Sequence, residues 1–182
     1  MSPPGRRAAE SARTVPINPA AIDIFLQPGD VYFGDRDTRI RTVLGSCVSI
    51  TFWHPQRLLG GMCHIMLPER AGAATDAPDG RYAAEAIELL FDEMGAAGTL
   101  PGEYQVKLFG GGRMFAFKAG SETLDIGSRT IDTARRLLRH RGLEPASGHL
   151  AGVGHRSIVF DVATGDVWVK HLPELTRLQH VA

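Results

Sequence analysis

Cys47 and His64 are the residues of this chain best suited to covalent chemistry. They lie in one segment, RTVLGSCVSITFWHPQRLLGGMCHIML, which alternates apolar and polar residues on either side of His54, Pro55, Gln56 and Arg57. That pattern predicts two antiparallel strands joined by a tight turn. A turn centred between Pro55 and Gln56 sets Cys47 directly opposite His64, and directly opposed side chains share a face with Cβ atoms roughly 4.5–5.5 Å apart. A thiol and an imidazole at that separation can pair. A free thiol has a pKa of about 8.5, and a neighbouring imidazole is expected to raise its thiolate fraction. Gly45 and Ser46, just ahead of the cysteine, offer main-chain N–H groups to an oxyanion on an attacked carbonyl. Thr42, upstream on the same segment, can orient the imidazole through its hydroxyl. The plainer reading is that a lone strand cysteine is a small buried hydrophobe.

The other face of the same register carries Val48, Ile50 and Phe52 with Cys63, Ile65 and Leu67, so Cys63 reads as a core cysteine. Cys47, Cys63 and His64 are close in sequence, yet neither C-x-x-C nor H-E-x-x-H occurs and Cys63 faces away. No metal and no cofactor are expected.

The elements around this segment are mostly strands. Further strands are predicted at 30–34, 40–44, 58–67, 104–109, 157–162 and 167–170, the last two joined by a hairpin turn at 163–166. Helical stripes run over 81–97 (Tyr82, Ala86, Leu89, Leu90, Met94) and 128–141 (Ile131, Ala134, Leu137, Leu138). Gly98 and Gly142 stand at their ends. This is one α/β domain, mostly antiparallel, with two main helices. Residues 1–20 hold four prolines and three arginines without apolar periodicity and read as a flexible tail; the domain is 21–182.

Composition excludes several classes. With 182 residues the chain can bury a full core, and its 2 cysteines cannot build a disulfide framework. Lys+Arg and Asp+Glu stand at 20 each, which argues against a nucleic-acid binder. No apolar run nears the roughly 20 residues of a membrane span, and no h-region follows Arg6 and Arg7, so a cytoplasmic protein is expected. The glycines of 109–115 lack the Gly-Lys-[Ser/Thr] of a phosphate loop. Arg135, Arg136, Arg139, His140 and Arg141 suit a helix C-terminus before they suggest a docking surface. Trp53 and Trp168 read as packing residues.

Leu44 to Val48 (LGSCV) and Gly60 to Pro68 (GGMCHIMLP) resemble the core signature of the CheD family of chemoreceptor glutamine deamidases. The likeness continues in Arg81-Tyr82-Ala83, in FGGGRMF at 109–115, in IGSR at 126–129, and in the glycine-arginine turn and hairpin from Gly152 to Gly165. It extends over about residues 28 to 172. The resemblance implies a three-layer α/β/α sandwich with a Cys-His-Thr site that hydrolyses receptor glutamines to glutamate. By position it makes Cys47 the nucleophile, His64 the base and Thr42 the candidate third member; in some relatives the threonine stands where this chain has Arg41. Thr130, Cys63 and His155 depart from the family's usual Asn, Asn or Ala, and Gly. The partners implied are methyl-accepting chemoreceptors and a CheC-type phosphatase. An alternative reading is a non-catalytic adaptor that binds either of them, and a third is another Cys-His acyl chemistry, transamidation or proteolysis.

Overall fold

Strand β4 (Val48–His54) is buried along both faces apart from a half-buried Trp53, so something must pack on each side of it. The computed structural model describes residues 19–70, 77–113 and 126–172. The expectations for 1–18, for Met114 and Phe115, and for the end of the domain beyond Leu172 lie outside the described residues. In chain order the other elements are β1 (Ile22–Phe25), β2 (Val31–Gly34), β3 (Thr38–Leu44), β5 (Leu59–Cys63), α1 (Ala83–Ala96), β6 (Gln105–Gly110), α2 (Ile126–His140), β7 (Ser147–Leu150), β8 (His155–Asp161) and β9 (Val167–Leu172).

The strands form a four-stranded sheet ordered β1-β3-β8-β9 and a five-stranded sheet ordered β2-β5-β4-β6-β7. β1 pairs with β3, and β6 with β7, in parallel; the remaining ladders are antiparallel. This is a single α/β domain with two helices and two mixed, mostly antiparallel sheets.

Two apolar clusters hold it together. One joins Val48, Ile50, Phe52, Cys63 and Ile65 to Ala83, Ala86, Ile87, Leu90 and Met94 of α1 and to Ile131, Ala134 and Leu138 of α2. Both helices present these residues at three- and four-residue spacing, as an amphipathic helix must. Leu67, expected on this face, instead bridges to Tyr82 ahead of α1. The second cluster draws Ile40, Leu44, Ile158 and Phe160 from the four-stranded sheet and Met62 and Phe109 from the five-stranded one, with Cys47 and Trp53 packed against it. At about 1.5–3 kcal/mol per fully buried apolar side chain, Val48, Ile50 and Phe52 decide which face of β4 meets the helices. A one-residue slip would put Ser49 and Thr51 there instead.

The helix ends follow the glycines. Gly98 (φ 69) and Gly142 (φ 70) take the left-handed conformation, and the N–H groups of Thr99 and Leu143 return to the carbonyls of Met94 and Leu138. Trp53 donates its indole N–H to Val162 O (2.8 Å) and covers Gly165 in the β8–β9 turn, a packing role as expected. Among the described residues no helix is long and apolar enough to cross a membrane.

Candidate active site

The chain leaves the four-stranded sheet at Leu44 and enters the five-stranded sheet at Val48, so residues 45–47 are the crossing between sheets. Cys47 is the last residue of that crossing and is partly exposed. Its neighbours are held by their carbonyls: Gly112 N–H donates to Gly45 O (2.9 Å) and Gly111 N–H to Cys47 O (2.8 Å). Glycine is required for this approach, because a Cβ on Gly110 (φ 106) would lie 2.2 Å from Cys47 O. The glycine run 110–112 is therefore a bracket on the cysteine loop. Among the described residues, the N–H groups of Gly45, Ser46 and Cys47 donate to no main-chain carbonyl.

The register differs from the expected one by two residues. Thr51 pairs with Met62 and Phe52 with Gly61, and the ladder resumes as a Val48–Ile65 bridge with bonds of 2.9 and 2.7 Å. Extended, it puts Cys47 opposite Met66 and His64 opposite Ser49. The reason is the turn, which uses four residues, 55–58, with Leu58 at φ 50 and its N–H bonded to His54 O (2.9 Å). A shift of two leaves every side chain on its expected face. Cys47 and His64 thus become diagonal neighbours on one face, within reach of a long side chain. Cys63 lies on the other face, among the helix-side residues, so the three groups do not converge.

Thr42, in β3 of the four-stranded sheet, meets His64, the residue just after β5. Its hydroxyl lies 2.9 Å from Leu26 O and 2.8 Å from His64 Nδ1. A carbonyl only accepts, so the single hydroxyl proton goes to Leu26 O. Thr42 Oγ1 is then the acceptor of Nδ1–H, and the imidazole lone pair is left on Nε2. That atom is buried and takes no hydrogen bond from the described residues. The main chain of His64 is tied on both sides of the ring, its N–H to Asp30 O (2.9 Å) and its carbonyl to Gly29 N–H (2.8 Å).

Burial lowers the His64 pKa below the ordinary imidazole value, opposed by the Leu26 carbonyl and the Asp30 charge. Burial also pushes the Cys47 thiol up. The thiol is therefore not depressed as expected, and both shifts favour a neutral thiol beside a neutral imidazole at rest. Cys63, which donates to Ile50 O, is pushed up to about 12. Iodoacetamide should accordingly label Cys47 in the native protein and spare Cys63 until denaturant is added, as peptide mass spectra would report; native labelling of Cys63 would contradict this burial.

Some contributors carry no sequence signal. The Leu26 carbonyl belongs to the main chain, and the bracket of Gly111 and Gly112 is legible only once the crossing is known. Ser49, whose Oγ is buried without a partner among the described residues, is found opposite His64 only when the observed register is extended. The basic run at the end of α2 and just beyond it is largely paired within the chain: Arg136 with Glu69, Arg141 with Glu88, and Arg139 with Glu144 at 3.0 Å.

A family described as CheD chemotactic sensory transduction matches residues 66–171. This chain is 49% identical over 147 residues (81% of it, 86% of the relative) to the probable chemoreceptor glutamine deamidase CheD 3 of Dechloromonas aromatica. It is 50% identical over 152 residues (83% and 85%) to the protein described as probable chemoreceptor glutamine deamidase CheD in Pseudomonas syringae pv. syringae. A third, CheD 1 of Chromobacterium violaceum with the same description, is 44% identical over 159 residues (87% and 82%). Stretches of that length in a chain of 182 residues necessarily include Cys47 and His64. With the family match over more than half its length and these relatives over most of it, the chain belongs to the CheD family of chemotactic sensory transduction proteins.

Proposed function

We propose that this chain deamidates glutamine side chains of methyl-accepting chemoreceptors to glutamate, through a thioester on Cys47. The observation that carries the reading is the run of bonds from His64 Nδ1–H to Thr42 Oγ1 and on to Leu26 O, which leaves Nε2 as a base on the face shared with Cys47. The names of the relatives supply the substrate. His64 Nε2 takes the thiol proton as the sulfur attacks the carboxamide carbon. The carbonyl π pair moves to oxygen, and the oxyanion is met by N–H groups of residues 45–47. Collapse of this intermediate breaks the C–N bond, and the imidazolium gives its proton to the departing ammonia. Water, losing a proton to His64, then attacks the thioester carbon; collapse breaks the C–S bond, the imidazolium returns its proton to the departing thiolate, and the glutamic acid side chain releases its own proton to solvent.

The reading assigns the activity to one domain, 21–182, working in the cytoplasm without a cofactor, with a CheC-type phosphatase as a further partner. The reading includes the expected three-layer α/β/α sandwich, although one observation speaks against helices on both outer sides. The cluster shared by both helices and the five-stranded sheet favours helices on one outer side rather than on both.

Proton transfer during attack, rather than a standing ion pair, sets the pH dependence. Falling pH protonates Nε2 and stops the reaction, and burial puts that limb of kcat/KM below about pH 6.5. Rising pH ionises the thiol and removes the proton that ammonia needs, with that limb above about pH 8.5. A broad plateau between them is the expected profile; an acid limb near about pH 4 would mark a preformed thiolate–imidazolium pair instead.

The direct test incubates the protein with a purified chemoreceptor cytoplasmic fragment and searches its peptides for glutamine-to-glutamate mass shifts accompanied by ammonia. Shifts at defined glutamines support the reading. Binding without any shift would favour the adaptor, and amine transfer or chain cleavage would favour the other acyl chemistries.

A further inference from the structure

Arg156 is the largest side chain in the fully buried set, an unusual place for a permanent cation. It stands in β8 directly across from Leu44, the last strand residue before the cysteine loop. Among the described residues no carboxylate pairs with its guanidinium. It donates instead to three main-chain carbonyls: Gly110 O (3.0 Å), His149 O (2.7 Å) and Ala151 O. Those carbonyls come from the end of β6, from β7 and from the turn after β7, where Ala151 (φ 57), Gly152 (φ 80) and Gly154 (φ 95) are all left-handed.

The run 110–112 continues from this anchor to the cysteine loop. Gly110 O meets the guanidinium, the next N–H grips Cys47 O, and the one after it grips Gly45 O. Gly112 is where the guanidinium and the cysteine loop come together: a Cβ there would sit 2.6 Å from Gly154 O, 3.2 Å from Arg156 Nη2 and 3.3 Å from Gly45 O. A buried cation costs several kcal/mol unless its donors are met; here the two terminal nitrogens meet carbonyls from two separate segments, Gly110 and 149–151, while Nε is buried without a partner among the described residues.

We propose that Arg156 is a positioning residue for deamidation: through the run 110–112 it sets the carbonyls of residues 45–47, and so the direction of the N–H groups that meet the oxyanion. This rests on the thioester reading above. Arg156 touches neither thiol nor substrate, so its loss should reach the step that builds an oxyanion and leave the thiol–imidazole pair alone. Alkylation of Cys47 by iodoacetamide is a displacement at an sp³ carbon and forms no oxyanion, which separates the two effects.

Arg156→Lys keeps a charge but not the fork. With the receptor fragment as substrate, kcat should fall about 10²-fold. KM and the Cys47 alkylation rate should stay within about threefold. Gly112→Ala, whose Cβ would press on the guanidinium and on Gly154 O at this same bracket, should give the same split, and it decides the matter if Arg156→Lys does not fold. Wild-type kcat in a folded Arg156→Lys protein overturns the proposal, and so does a parallel loss of deamidation and alkylation in the variant that folds. Cys47→Ala is run alongside, because ammonia release by that variant would remove the thioester reading itself rather than the role of Arg156.

Discussion

Replacing Cys47 with alanine should bring ammonia release from the receptor fragment to background, a loss of at least about 10⁴-fold. The melting temperature should stay within about 4 °C of wild type. The size of the effect follows from what else lies on that face. Ser49 offers an alternative hydroxyl, opposite His64 in the observed register, but it is fully buried and its hydroxyl is far less acidic than a thiol. Ser46 lies in the crossing itself, where the reading needs its N–H rather than its hydroxyl. Without the sulfur, His64 keeps its proton arrangement through Thr42 and Leu26, so the site remains formed and merely lacks an attacking atom. The small stability effect follows from the partial exposure of Cys47, whose thiol lies at the rim of the second apolar cluster rather than within it. Ammonia release and a differential melt on the same preparations check both halves. Persistent release would transfer the chemistry to another group, with Ser49 the first to replace.

The alternation in 48–53 and 59–65 made the two faces of the hairpin legible without coordinates, because side-chain direction depends only on strand parity. That is why Cys63 was read as core and why Cys47 and His64 were put on one face. Their exact opposition was not legible. It depended on whether the turn after His54 takes two residues or four, and a left-handed Leu58 gives no sign of itself in composition. The strand expected to reach 67 stops at Cys63, since the main chain of His64 bonds to Gly29 and Asp30 instead. The short strands Ile22–Phe25 and Ser147–Leu150 were not expected either; both are four residues long, and their pairing with β3 and β6 comes from tertiary contact more than from pattern. Thr42 is legible only as a hydroxyl on the same segment; its bond runs from β3 to the residue just after β5, in the other sheet's hairpin, which no local pattern encodes. The raised Cys47 pKa is not legible for a related reason: a nearby imidazole is visible in the sequence, whereas the desolvation that raises the thiol is a property of the packed interface.

His64→Asn tests the base without disturbing its support. The asparagine amide N–H₂ can stand near the place of Nδ1–H and donate to Thr42 Oγ1, while nothing replaces Nε2. General-base catalysis of this kind contributes about 10²–10⁴-fold. The upper part of that range is expected here, because one nitrogen serves attack, ammonia departure and hydrolysis in turn. Thr42→Val should cost less, about ten- to a hundredfold in kcat. It strips Nδ1–H of its acceptor, a buried loss worth about 1–3 kcal/mol, and frees the ring to adopt the other tautomer, but the base survives. Thr42→Ser should recover most of the rate, since it restores the oxygen that bonds both Leu26 O and Nδ1. Alkylation above the thiol pKa supplies the control: the thiolate then forms without help, so His64→Asn and wild type should react at comparable rates. Deficits that disappear at high pH in alkylation yet persist in deamidation would mark His64 as the proton carrier. A His64→Asn enzyme with a wild-type deamidation rate would instead leave the Leu26–Thr42–His64 chain as a brace between the two sheets.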